Sequence, residues 1–238
     1  MAEHIDLGEI AVDVVFKNIK NVHLSVYPPA GRVHISAPMR MNLDTVRVFA
    51  ISKLDWIKQQ QRKLQEQDRE TPREFLDLES HYLWGKRHLL RVIETEQIQS
   101  IEVRHNRLLL HVFPHTNEEK KQEMIAQWYR GQLRAAVPVL IEKWTPIMGV
   151  EVNAFYIQQM KTKWGSCNHL AGTIRLNTEL AKKPKECLEY VAVHEMVHLV
   201  EPTHNSRFIA MMNKFMPNWR LRREYLNQLP VRHEEWGY

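Results

Sequence analysis

Apolar and polar positions alternate over short stretches at the start of the chain. β-Branched runs at residues 12–16, 22–26 and 33–37, set apart by Asn, Pro and Gly, predict a small antiparallel meander. After Pro38 the period lengthens. Asn42 stands where an N-cap belongs, and Val46, Phe49, Ala50, Leu54 and Ile57 recur at helical spacing, which predicts one helix running into the polar tail QQQRKLQEQDRE. A second β block follows at residues 82–84, 89–94, 98–104 and 108–113, with His105-Asn106 as a turn, and predicts another meander.

From Asn117 the pattern turns helical. Ile125, Trp128, Tyr129, Leu133, Ala136, Val137, Leu140 and Ile141 form one apolar stripe, in which Pro138 predicts a kink. This change of period places a domain boundary near residue 115, between a β-rich N-terminal domain (1–115) and a helical C-terminal domain (116–238). Two further strands are expected, from Tyr156 toward Met160 and at residues 173–176, joined by KTKWGSCNHLAG. Pro184 fits the first turn of a helix running through Glu186 to about Val200, which Pro202 stops. The fold class is α+β: a β-rich front half and a helical back half with a small sheet. No repeat or low-complexity tract is visible.

Composition narrows the class. A 238-residue chain that is 44% hydrophobic can bury a core without staples. Lys and Arg total 33 against 28 acidic residues, a formal charge of +5 that permits a phosphate-bearing substrate without requiring one. Cys167 and Cys187 form no CxxC pair and no disulfide framework, which fits a reducing cytoplasm. The first thirty residues lack the basic-then-apolar order of a signal peptide, and no apolar run approaches the roughly 18 to 20 residues of a membrane span. A soluble cytoplasmic protein is expected.

The segment HEMVH at residues 194–198 carries the chemistry. Four-residue spacing puts His194 and His198 one turn apart on a helix face, where both imidazoles reach one ion. Glu195 lies about 100 degrees round, placed to take a proton from water rather than to ligate. Zinc bound there would make water acidic near neutral pH. VAVHEMVHLV is strongly apolar, so three ionisable groups buried in it are costly unless a metal satisfies them. His204, six residues beyond His198 and past Pro202, is the favoured third ligand. The spacing matches the HExxHxxGxxH pattern of metzincins with Glu201 in place of Gly, and Glu201 is the competing ligand. His81, His88, His105, His111, His169 and His233 read as surface or hydrogen-bonded imidazoles, with His169, in the loop after Cys167, the one to follow. Cys167 and Cys187 read as small buried apolar residues.

Residues 160–208, MKTKWGSCNHLAGTIRLNTELAKKPKECLEYVAVHEMVHLVEPTHNSRF, resemble the signature of the YgjP-like metal-dependent hydrolases, a family related to the SprT and WLM zinc proteases. The front half, with VHLSVYPPAGRVHISAPMR and KLDWIKQQQ, resembles that family too. The resemblance implies a zincin-like catalytic domain with zinc on His194, His198 and His204 and with Glu195 as catalyst. Where relatives tend to carry Asn-His-Ser, this chain has Thr203-His204-Asn205, which implies an altered contact around the third ligand.

In KTKWGSC, Lys161 and Lys163 are cations beside a rigid Trp164-Gly165 turn and the small Ser166-Cys167 pair. Lys161, Lys163, Trp164 and Ser166 are candidate substrate-facing residues, where a cation would stabilise an oxyanion or bind a phosphate. The alternative is a Trp packed in the core beside solvated lysines. Asn177 is expected to hydrogen-bond near the zinc helix.

Three functions are weighed. A metallopeptidase is favoured, in which Glu195 deprotonates water and passes the proton to the leaving amine. A UTP pyrophosphatase is the second, since the family has been linked to hydrolysis of UTP to UMP and pyrophosphate. The third is a nucleic-acid-associated module using basic runs such as Arg220, Arg222 and Arg223, though such runs are usually solvated helix faces. A zinc deaminase is excluded, because HxE with PCxxC is missing.

Overall fold

Val12, Val14, Val33, Ile35 and Ala37 occupy alternate positions and are wholly buried, which makes one apolar sheet face. The computed structural model of the protein describes residues 3–27, 31–66, 74–160 and 163–230, and it divides into two compact units that part at residues 69/70.

In the first unit, β1 (Glu3–Asp6), β2 (Ala11–Lys17), β3 (His23–Tyr27) and β4 (Arg32–Pro38) form a sheet of order β1-β2-β4-β3. The three expected strands appear as β2, β3 and β4, but β1 is an added strand the pattern did not show, and the pairing is not a meander, because β2 runs parallel to β4. Burial explains the order. β2 and β4 carry the fully apolar faces and take the centre, whereas β3, half-exposed throughout, is left at the edge. Asn42 caps α1 (Leu43–Ser52) by accepting from Thr45 N at 2.8 Å. The single expected helix breaks at Lys53, where the Ser52 hydroxyl donates to the Phe49 carbonyl, and resumes as α2 (Leu54–Glu66).

The second unit begins with β5 (Ser80–Leu83), β6 (Lys86–Glu94), β7 (Ser100–Arg104) and β8 (Arg107–Val112) in the order β5-β6-β8-β7. Here too the central pair is parallel and the outer pairs antiparallel. The chain therefore repeats one strand topology, a relation that residue identities conceal. Asn117 caps the 31-residue helix α3 (Glu118–Met148), which runs through Pro138 and Pro146 and ends at Gly149, in left-handed conformation at φ 66°.

Next come β9 (Ala154–Gln158), β10 (Gly165–Asn168) and β11 (Thr173–Asn177), in the order β10-β11-β9, and a 3-10 helix at Thr178–Lys182. Three helices follow: α4 (Lys185–Val197), α5 (Ser206–Phe215) and α6 (Trp219–Gln228). The described residues thus make an α+β fold of six α-helices and three small mixed sheets, β-rich in front and helical behind.

The boundary expected near residue 115 falls inside this second unit. Leu90, Leu108 and Leu110 of its first sheet share one core with Leu133 and Val137 of α3 and Val193 of α4, so sheet and helices are not separable there. The sheet is also bonded to the approach to α4. Trp84 N donates to Ala181 O at 2.8 Å and Gly85 N to Lys182 O at 3.1 Å, while Tyr129 Oη of α3 donates to Tyr82 O of the sheet at 2.8 Å. Among the described residues no helix is long and apolar enough to cross a membrane.

Candidate metal centre

α4 is the central helix of the site. Cys187, Leu188, Ala192, Val193, Met196 and Val197 bury its sides, and Pro184 precedes its first turn. One carboxylate on it, Glu189, ties three helices together. It accepts from Lys143 Nζ (2.7 Å) and Trp144 Nε1 (3.2 Å) of α3 and from Arg222 Nη1 (2.7 Å) of α6. Burial raises the pKa of Glu189, but these hydrogen bonds outweigh it and hold the group below the usual carboxylate value.

Regular helix ends at Val197, about one turn before the expected stop. Leu199 N and Val200 N bond the carbonyls of Met196 and Val197, three residues back, so the last turn tightens and the chain reverses. The reversal returns His204 to the helix. His204 Nε2 lies 3.0 Å from His194 Nε2 and 3.1 Å from His198 Nε2. Three such nitrogens around a zinc ion, each about 2.0–2.1 Å from it, stand about 3.3 Å apart, so the observed spacing fits. His198 Nδ1 donates to the Glu201 carbonyl at 3.0 Å, which leaves the Nε2 lone pair facing the other two rings. Lone pairs meeting this closely repel unless a cation lies between them. These three histidines can hold a metal ion.

Burial, with the nearby His198, His204 and Arg223, pushes His194 down to about 3, and burial lowers His198 as well. Both are therefore neutral, as metal ligands must be.

The Glu201 carboxylate is not part of this group. Its carboxylate accepts from Thr203 Oγ1 at 3.0 Å and Thr203 N at 3.4 Å, bonds that hold its pKa below the usual range. The departures at 203 and 205 thereby acquire a role. Thr203 occupies the Glu201 carboxylate, and Asn205 caps α5 by accepting from Phe208 N at 3.0 Å. Phe208, 2% exposed, then packs against all three imidazoles, its ring centroid 4.6–5.0 Å from theirs.

Glu195 is buried, and burial pushes its carboxyl up to about 8 against the opposing charge of Lys163. It lies flat against Gly165, where an added Cβ would come within 2.7 Å of Glu195 Oε1 and 2.8 Å of Cγ. Gly165 is thus the opening residue of β10, not half of a rigid Trp-Gly turn. Glycine is needed there because strand and carboxylate touch.

A cavity of about 460 Å³ opens over the cluster. Lys163, Trp164, Ser166 and His169 are among its lining residues, and Trp164 also packs against the core. Lys161 lies outside the described residues, as does His233. Cys167 also lines the cavity, and burial raises its thiol to about 11, whereas Cys187 is fully buried in the core. Asn177 acts on the loop before β10, donating to the carbonyls of Met160 and Lys163 at 2.8 Å each. The cross-strand pair His81 and His88 is buried far from surface character.

Sequence reasoning missed Phe208 and Tyr190, and weighed Arg223 only within a basic run. Tyr190, one turn before His194, and Arg223 of α6 both line the cavity. The four-residue offsets of Tyr190 from His194 and of Phe208 from His204 were the available signals.

A helix-borne histidine pair, a third histidine from the following turn and a buried glutamate in one open cavity define the class: a metal-dependent hydrolase. The model of the YgjP-like metallopeptidase domain matches residues 20–229, and the chain belongs to that family. No curated protein matches it. Among solved structures, the chain is similar to the metallopeptidase zymogen of Pyrococcus abyssi abylysin, with 23% identity and a TM-score of 0.37 over 40% of this chain and 98% of that one. It is also similar to the metallopeptidase zymogen of Methanocaldococcus jannaschii jannalysin, with 19% identity and a TM-score of 0.35 over 39% and 94%.

Proposed function

We propose that the protein is a zinc-dependent peptidase of zincin type, in which His194, His198 and His204 bind the metal and Glu195 is the general base. The observation that carries this reading is the meeting of three imidazole Nε2 atoms beside a buried carboxylate in an open cavity. When bound, zinc supplies Lewis acidity, which makes water reactive at neutral pH and polarises the scissile carbonyl.

Glu195 accepts the proton of the attacking water at its carboxylate and delivers it to the leaving amine. Burial disfavours the charged form of Glu195, and a neighbouring dication favours it. Gly165 keeps the carboxylate's place clear. Lys163, Trp164 and Ser166 form the substrate wall. A peptide substrate is supported by β10, which among the described residues pairs with β11 alone. Its free edge offers backbone groups beside Glu195 to an extended chain.

The test is hydrolysis of casein by the zinc-loaded protein, run beside a panel of nucleoside triphosphates that includes UTP. Casein cleavage that falls about 10²–10⁴-fold in Glu195→Gln is expected. Full activity in that variant removes Glu195 as base, and cleavage of UTP in place of casein overturns the peptidase. Zinc content after dialysis tests the third ligand: His204→Ala is expected to lose most of its metal, and full stoichiometry would remove His204 from the set.

A further inference from the structure

Three arginines near the start of α6 look alike in the sequence, and the fold sends them to three different places. Arg222 is taken by Glu189. Arg220 donates to Asn213 Oδ1 at 2.7 Å and lies over the Trp219 ring at 4.5 Å. Arg223 has no carboxylate partner among the described residues and lines the cavity over the three histidines. The run therefore makes no single basic surface. It places at the candidate metal centre one guanidinium without a carboxylate partner among the described residues.

That guanidinium has company. Leu226 and Asn227, three and four residues on, share its helix face and also line the cavity. Lys163 lines it from the segment entering β10. Among the described residues Glu195 is the one carboxylate in the lining, set against Lys163, Arg223 and the metal proposed above. The cavity is thus electropositive, and its arginine fork, beside an amide that can also donate, matches the two oxygens of a carboxylate.

We infer that Arg223, with Asn227 beside it and Lys163 on the β10 wall, forms a carboxylate-binding subsite, so that favoured substrates are peptides bearing a carboxylate next to the scissile bond. The inference rests on the peptidase reading. The carboxylate comes from an Asp or Glu side chain or from the free C-terminus of a short peptide.

The experiment measures binding in the zinc-loaded Glu195→Gln protein, by fluorescence anisotropy, so that turnover does not intervene. The probes are labelled peptides identical except for Asp, Asn or Lys at one central position, and one short neutral peptide as free acid and as C-terminal amide. The Asp peptide, or the free acid, is expected to bind about tenfold more tightly than its Asn or amide counterpart, a margin ordinary for a charge-paired contact. Which of the two pairs shows the margin identifies the source of the carboxylate. Adding Arg223→Gln should bring the ratio to about one with zinc content unchanged, and Arg223→Lys should keep part of it. Arg220→Gln, outside the cavity, should leave the ratio alone. Equal binding within both pairs, equal loss for both members on Arg223→Gln, or no binding by any probe overturns the subsite. If the preference appears while the Glu195-intact protein cleaves none of these peptides, the subsite stands and the peptidase reading fails.

Discussion

In the first unit the turn between β1 and β2 carries Gly8 at φ 82°, and a side chain added there would meet nothing within 4 Å. In the second unit the corresponding turn, between β5 and β6, carries Gly85 at φ 78°, and an added Cβ would lie 2.8 Å from Pro184 Cγ. The two sheets share strand order and pairing directions, and each is followed by a helix capped by asparagine, Asn42 or Asn117. They differ in what they support. The first closes its core on α1 and α2. The second shares its core with α4, holds the segment leading into it through Trp84 and Gly85, and is bonded to α3 through Tyr129. One topology thus serves as a self-contained unit in one place and as the support of the candidate metal centre in the other.

The sharpest way to break the comparison is to truncate matched central positions. Ile35 and Leu110 are both fully buried, in β4 and β8. Ile35→Ala and Leu110→Ala should each cost about 3 kcal/mol in denaturant unfolding. Only Leu110→Ala is expected to weaken zinc retention, and equal metal loss from Ile35→Ala would show that the first sheet supports the centre as well. A smaller contrast lies in the turns. Gly85→Ala should cost about 2–3 kcal/mol, strain plus the collision with Pro184, against about 1 kcal/mol of strain alone for Gly8→Ala. Equal losses in thermal unfolding would mean that the Gly85 contact carries no weight.

The smallest effect concerns acid. Glu189 in the second unit and Asp13 in the first both have depressed pKa values. At Asp13 burial works upward and is outweighed by Arg32 and His4. A depressed carboxylate stabilises the fold above its unfolded value and loses that contribution as pH falls through its folded one. For Glu189 the loss begins near its ordinary value of 4.5 and proceeds below it. Glu189→Gln should cost about 1–2 kcal/mol at neutral pH and flatten the acid limb of the stability curve. Asp13→Asn should change it less, because Arg32 and His4, its partners, are largely exposed. An unchanged acid limb in Glu189→Gln would show that the junction of α3, α4 and α6 does not depend on that charge.

Much of this was legible in one dimension. The HEMVH spacing, the apolar frame around it, Pro202 and His204 are local signals, and local geometry turns them into a cluster. Strand positions could be read because alternation reports burial directly. Strand order could not. Central or edge placement of β3 and β7 depends on how their half-apolar faces compare with those of β4 and β8, which is settled only on packing. β10 was missed because Gly165, Ser166, Cys167 and Asn168 carry little strand propensity, and their extended form comes from pairing with β11.

By itself, then, the sequence determined the helix that bears His194, Glu195 and His198, the chain reversal that offers His204, and the class of chemistry, since each follows from spacings of a few residues. The tertiary structure alone decided that Phe208 reaches His194 and His198 as well as His204, and that Gly165 clears space for Glu195. It also decided which of three neighbouring arginines faces the cavity. Those outcomes depend on which side chains from segments far apart in the chain pack together, and no local period encodes that packing.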